Sequence, residues 1–436
     1  MPNTKSVMHN CFSLFIFFIL SASNTYAQTN SSVNPNLEIK NGRSMYSKVF
    51  LKENGDHEAI ISPSPVHYKK NNVWEEISTQ IASSNGQYQN VSNVIQSFFP
   101  NKIHSSNKIK LIVNTTDEIF IHSEKKLILF DNQSQLNILS ESPGNSTGNV
   151  NGNTLSYSDV FTGISDEFKV LNGEIKNNFI LSSIPAFLSN ISSGYFGFQE
   201  TLELPAGWKI TNENNTINKL TFSSLLIVDP DGNTILTIPV PVFFDNYGLQ
   251  SDGANPVEGK YLVKQEKNNW TIATLVPVSW LKDANTKYPV SIDPTVVIVG
   301  TTGGWQSPNN WVDNPSFVFI GVCCSNLTHR AWIKFNISSI PSTSCITNVE
   351  IQPNVTTVAN TTAEGVLMND VTGAFGPYGG IVPAAYNDFG TGLYNSFTIT
   401  GTGLYGYYSL GATANTLLQS QLAGGWFQVA FQFVNE

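Results

Sequence analysis

The sequence predicts an all-β protein of the sandwich or jelly-roll kind, on three observations. From Asn41 to Pro294, apolar or alternating runs of four to seven residues are separated by clusters of Asn, Gly, Asp and Ser, which is the pattern of short strands joined by turns. Helical periodicity is nearly absent. No self-similarity at a period of about 20–50 residues shows, which removes solenoid and propeller architectures and leaves layered sheets.

Taken in order, residues 1–27 read as a secretory signal. Lys5 and His9 precede the apolar run Cys11 to Leu20, and small residues lead up to Thr25-Tyr26-Ala27 before Gln28. That run is about ten residues, where a membrane span needs about 20, so a soluble, exported product is expected, secreted or held at the cell surface. Residues 28–40 are polar and expected to be loose. The strands then begin: Lys108 to Val113, Ile119 to His122, Leu127 to Phe130, Leu225 to Val228 and Thr234 to Ile238 all alternate or are continuously apolar. Asp231-Gly232-Asn233 sits where a hairpin turn belongs. Its Asp/Asp/Asn alternation with Asp229 has a calcium-like spacing, but the distal Glu of a full calcium loop is missing and a turn explains it more simply. Two helical exceptions are expected, Val278 to Ala284 and Thr413 to Leu422, the latter closed by Gly424-Gly425.

Charged residues make up 13% of the chain and the formal charge is −9, moving to −10 without Lys5 of the leader. That balance argues against nucleic acid or an anionic membrane as partner. Of the four cysteines, Cys11 lies in the leader, leaving Cys323, Cys324 and Cys345. In an oxidising compartment a Cys324–Cys345 disulfide is favoured, with Cys323 the alternative to Cys324, and no metal site is expected. The histidines are scattered, no nucleophile elbow of the G-x-S-x-G form occurs, and no acid pair stands out. No catalytic residue and no cofactor is therefore nominated, and a non-enzyme is expected.

Several strings then point to known families. YKKNNVWEEISTQIASSNGQYQNVSNVIQSFFP (68–100), YSDVFTGISDEFKVLNGEIKNNFIL (157–181), LPAGWKI (204–210), DPDGNTILTIPVPVFFD (229–245) and YPVSIDPT (288–295) occur in this order. Together they resemble the β-rich N-terminal region of large secreted bacterial surface proteins, some of them Rhs or YD-repeat proteins. HRAWIKFNISSIPSTSCITNVEI (329–351) resembles the central strands of a DNRLRE-type jelly roll, with Arg330, Phe335, Asn336, Ile340 and Pro341 in the places of the pattern. The segment 407–433 is similar to a late part of such domains in proteins exported by type IX secretion. The resemblance implies a β-sandwich-like N-terminal domain over 41–295 and a jelly-roll-like β-sandwich over 296–436, expected to lack its last strand. It also implies extracellular adhesion, matrix binding or service as an accessory module, with no catalytic residues.

Alternation supplies a candidate ligand face. Arg330, Trp332, Lys334 and Asn336 share one side of their strand, and Trp426, Gln428, Ala430 and Gln432 share one side of another. If the two strands lie in one sheet, indoles and polar groups form a candidate glycan platform, which Trp311 could extend. Burial of the tryptophans under loops or a neighbouring domain is the competing reading. The expected function is thus a non-catalytic binding or adhesion protein with a polysaccharide or surface component as partner. The alternatives are the accessory region of a larger polysaccharide-active enzyme or Rhs-like toxin, and a spacer without ligand.

Overall fold

The computed structural model describes residues 11–23 and 37–434, leaving out 104–105, 115, 131–135, 141–144, 213–217, 244, 246–256, 268, 293–295, 299–301, 308–309, 314–317, 324–326, 359–362, 371–391 and 402. The described chain is all-β, with strands gathered in sheets of 14, 11 and 10 strands and two small two-stranded sheets. Every described pairing of the longer strands is antiparallel, as expected where short turns rather than crossover helices join them. Among the described residues no helix is long and apolar enough to cross a membrane.

The 11-stranded and 10-stranded sheets pack face to face. In the first, Lys260–Glu266, Asn269–Pro277, Tyr195–Glu203, Asp117–His122, Lys108–Val113 and Gln96–Pro100 lie side by side. In the second, Thr154–Phe161, Ile164–Leu171 and Glu174–Leu181 are consecutive neighbours. Period-two alternation aims Ile109, Leu111 and Val113 from one sheet, and Ile164, Phe168 and Val170 from the other, into a shared core. Phe179 and Phe198 stack across that interface with ring centroids 3.8 Å apart, a contact that adds to the area both rings bury.

One irregularity positions a polar cluster inside this core. Asp117–His122 and Lys126–Phe130 both pair with Tyr195–Glu203, Ile121 opposite Leu202 and Lys126 opposite Gln199. The intervening Ser123–Lys125 step interrupts the ladder beside Glu200, and there Lys125 turns inward to 1% exposure.

The expected turn at Asp229 is present. Leu225–Val228 pairs with Thr234–Ile238, Asn233 donates its backbone N–H to Asp229 Oδ1 at 2.8 Å, and Gly232 takes φ +87°. Gly tolerates that left-handed geometry because it has no Cβ. The Asp229 carboxylate is committed to the turn. The two expected helical segments appear as Val278–Leu281 and Gly411–Gln421, the second closed by Gly425 at φ +71°, whose N–H reaches the Gln421 carbonyl.

The 14-stranded sheet runs Ser47–Leu51, His57–Ile61, Cys11–Ser23, Val318–Cys323, Leu327–Asn336, Trp426–Phe433, Glu364–Asn369 and Leu393–Ile399. Cys345–Val358 lies along Cys11–Ser23, from Val358 opposite Phe12 to Cys345 opposite Ser23. Ile61 and Ala59 join Phe335, Phe431, Val349 and the helix residue Leu418 in one core. The cores therefore divide elsewhere than at 41 and 295, since the hairpin 47–61 packs with the C-terminal region. Cys11–Ser23, read as the apolar part of a leader, is a paired strand here: a run rich in Phe and Ile has the composition of a strand as well as of a leader. The expected loose segment 28–40 is ordered at its end, where Leu37–Glu38 pairs with Phe50 and Leu51; residues 28–36 lie outside the described residues.

Candidate functional site

On the outer face of the 11-stranded sheet, register brings together residues far apart in sequence. Lys108 stands opposite His122, Lys110 opposite both Phe98 and Phe120, and Phe120 opposite Glu203. His122 Nε2 lies 2.6 Å from Glu203 Oε1, and Lys108 Nζ lies 2.6 Å from the same oxygen. Lys110 reaches Glu118 at 3.1 Å. The two ammoniums also sit over aromatic rings, Lys110 at 4.8 Å from the Phe98 centroid and Lys108 at 5.7 Å from that of Phe120. Phe98, Phe120 and His122 are all half-buried, so each offers an edge or face to solvent.

The electrostatics follow from the contacts. The hydrogen bond from Lys108, reinforced by His122, holds the Glu203 carboxyl below the ordinary carboxylate range. A carboxylate so held orients the imidazole, the geometry that general acid/base chemistry uses. Lysines beside exposed rings are also the chemistry that meets a phosphate backbone and stacks bases. Surface ion pairs of this kind are worth about 0–1 kcal/mol, so a phosphate can displace Glu118 or Glu203 from its lysine at little cost.

A second cluster could hold a metal by geometry. Glu38, His67 and Glu76 present ligand atoms within 4.8 Å of one another. Their charge is already committed: Arg43 Nε donates to Glu38 at 2.7 Å, Lys48 Nζ donates to Glu76 at 2.9 Å, and His67 Nδ1 contacts the Ser44 carbonyl at 2.7 Å. Two cations beside the carboxylates oppose a third.

The residues singled out in the sequence are placed as follows. Trp332 and Trp426 do lie on adjacent strands, Lys334 opposite Gln428 and Asn336 opposite Trp426. The face is nevertheless no open platform. Trp332 is 0% exposed and Lys334 is buried with its Nζ 4.2 Å over the Trp426 ring. The strand Leu327–Asn336 is covered on both faces: Ala331, Ile333 and Phe335 are buried on one and Trp332 and Lys334 on the other. Burial holds the Lys334 ammonium below the usual lysine range. Arg330 and Gln428 are half-buried. Trp311 falls in the strand Asn310–Asp313, and its side chain lies outside the described residues. Cys345 is a free, exposed thiol, and its expected partner Cys324 lies outside the described residues.

Nothing local in the sequence marks His122, Glu203 and Lys108. Glu203 is 81 residues from His122 and 95 from Lys108, and only strand pairing makes them neighbours.

No protein-family model matches the chain, and no solved structure matches it. Among curated proteins it is 24% identical over 273 residues to the tRNA3(Ser)-specific nuclease WapA of Bacillus spizizenii, covering 61% of this chain and 11% of that protein. It is likewise 24% identical over 270 residues to the tRNA(Glu)-specific nuclease WapA of Bacillus subtilis subsp. natto and to the tRNA nuclease WapA of Bacillus subtilis strain 168, covering 60% of this chain and 10% of each. The chain thus spans about a tenth of the length of the curated relatives it matches. These relatives overturn the expectation of a non-catalytic adhesion or glycan-binding protein, of a non-enzyme, and of a partner other than nucleic acid, since each is named as a nuclease acting on tRNA. Net charge does not exclude such a partner, because it averages over the whole surface whereas nucleic acid meets one face.

Proposed function

We propose that this chain is the β-rich region of a larger, exported tRNA nuclease of the Rhs-like toxin kind, and that the face around Lys108, Lys110, His122 and Glu203 is where it meets RNA. The observation that carries the reading is the 24% identity over 273 residues to a protein named as a tRNA nuclease. Export is supported by the leader-like sequence of residues 1–27. The sheet face supplies the matching chemistry: ammoniums for phosphate, Phe98 and Phe120 for bases, and a His122–Glu203 pair able to move a proton at a ribose hydroxyl or phosphate oxygen.

The test is incubation of the purified chain with bulk tRNA over a salt series, in magnesium and in chelator, read by filter retention and denaturing gel. Expected is salt-dependent retention whose slope falls by about 2 in Lys108→Ala/Lys110→Ala, one phosphate contact per lysine. Cleavage by the chain that is lost in His122→Ala would place chemistry at this face. Absence of both retention and cleavage at low salt would overturn the reading.

A further inference from the structure

The core of the sandwich holds four polar side chains that the RNA-facing surface does not use. Lys125 Nζ lies 2.9 Å from Asp166 Oδ2, 2.9 Å from Glu200 Oε1 and 2.9 Å from Asn177 Oδ1. Asn177 in turn donates its Nδ2 to Asp166 Oδ1. Lys125, in the step between two strands of one sheet, and Glu200, on that sheet, face Asp166 and Asn177 of the other, all four buried. The rings of Phe168 and Phe179 close over the ammonium at 4.8 and 4.4 Å.

As a purely structural ion cluster this is an expensive choice. Two sheets that bury Phe, Leu and Ile throughout could have been joined by apolar side chains, and a buried ion pair is commonly no more stabilising than such a replacement. The cluster carries one cation and two acids, and burial pushes Glu200 above the ordinary carboxylate range. What the arrangement does provide is a lysine ammonium donating to a carboxamide oxygen, with two acids beside it able to carry its protons, dry and preorganised.

We propose that Lys125 and Asn177 join in an intramolecular isopeptide bond, formed by the protein itself, which ties the two sheets of the sandwich covalently. Asp166 takes a proton from the Lys125 ammonium through Oδ2, and the freed amine attacks Asn177 Cγ. Protonated Glu200 lends its proton to the carbonyl oxygen as negative charge develops there and recovers it when the carbonyl reforms. Asp166, through Oδ1, delivers its proton to the Asn177 nitrogen, which leaves as ammonia, and takes up the surplus proton of the new amide nitrogen. The Nζ–Cγ bond forms, the Cγ–Nδ2 bond breaks, and no oxidant or cofactor is needed. Lysine ammonium, carboxamide and carboxylate become amide, ammonia and carboxylic acid, so the product core holds no ion. Removal of two buried charges and loss of ammonia drive the step, and the tie closes a segment of 52 residues, which lowers the entropy of the unfolded chain.

The experiment is mass analysis of the purified full chain, intact and after proteolysis. Expected is a chain lighter than its sequence by one ammonia, with a branched fragment joining the peptide of Lys125 to that of Asn177. Recovery of both peptides unlinked at their sequence masses overturns the proposal, and loss of one water instead overturns Asn177 as the acceptor in favour of a carboxylate. Asp166→Asn keeps the shape and removes the proton carrier: the folded variant is expected to yield unlinked peptides, and full linkage in it would overturn the role of Asp166. The wild-type masses decide the bond itself even if that variant does not fold.

Discussion

At the scale of single residues, burial and pairing decide what a side chain can do. That Trp332 and Trp426 each share a strand face with polar residues was legible from alternation, because a period of two puts every second residue on one side; that their strands pair was not. That the shared side is closed was not legible, since alternation with polar partners such as Lys334 and Gln428 is what a half-exposed strand looks like. His67 shows the same limit. It is one of several scattered histidines in sequence, yet it is fully buried with Nδ1 on the Ser44 carbonyl and with Glu38, Arg43 and Lys48 around it. Desolvation, with Arg43 and Lys48 adding repulsion, lowers its pKa below the ordinary histidine value. The unfolded chain therefore binds a proton near pH 6.5 that the folded chain refuses until lower pH. Stability should be complete above that value and fall as pH drops through the folded pKa. Urea midpoints at pH 7.5 and 5.5 check this: the wild-type drop should exceed that of His67→Gln, and equal drops would remove His67 as the cause.

At the scale of elements, turns were easier to read than close approaches. Asp231-Gly232-Asn233 announced its hairpin because left-handed φ needs Gly and the Asx side chain closes the turn. Gly197 announced nothing, since it sits inside a strand and its φ is ordinary. Its role is distance: a Cβ there would lie 1.8 Å from the Thr274 carbonyl oxygen on the neighbouring strand. Gly197→Ala should cost about 3 kcal/mol or more, since backbone must separate. Gly232→Ala meets nothing within 4 Å and should cost about 1–2 kcal/mol, the penalty of a left-handed residue. Thermal or urea unfolding of the two variants compares them directly, and the reverse order would show that the strands can part freely at Gly197.

At the scale of the whole molecule, the unexpected feature is the strand Cys11–Ser23 lying between His57–Ile61 and Cys345–Val358. It bridges a hairpin from the first part of the chain and the C-terminal layer. A chain of 28–436 leaves those two edges without this neighbour. Amide exchange over 57–61 and 345–358 should then be faster in 28–436 than in 1–436, while exchange over the Lys108–Val113 ladder stays unchanged. Equal rates throughout would mean that the strand adds nothing to the protection of these edges.

The sequence by itself determined the all-β class, the turn at Asp229 and the two short helices, because these follow from local periodicity and backbone preference. Only the tertiary structure decided that Trp332 is covered, that Lys108, His122 and Glu203 meet on one sheet face, and that Lys125, Asp166, Asn177 and Glu200 converge in the core. Each of these depends on which strands pair and in what register, and register is set by the packing of the whole chain.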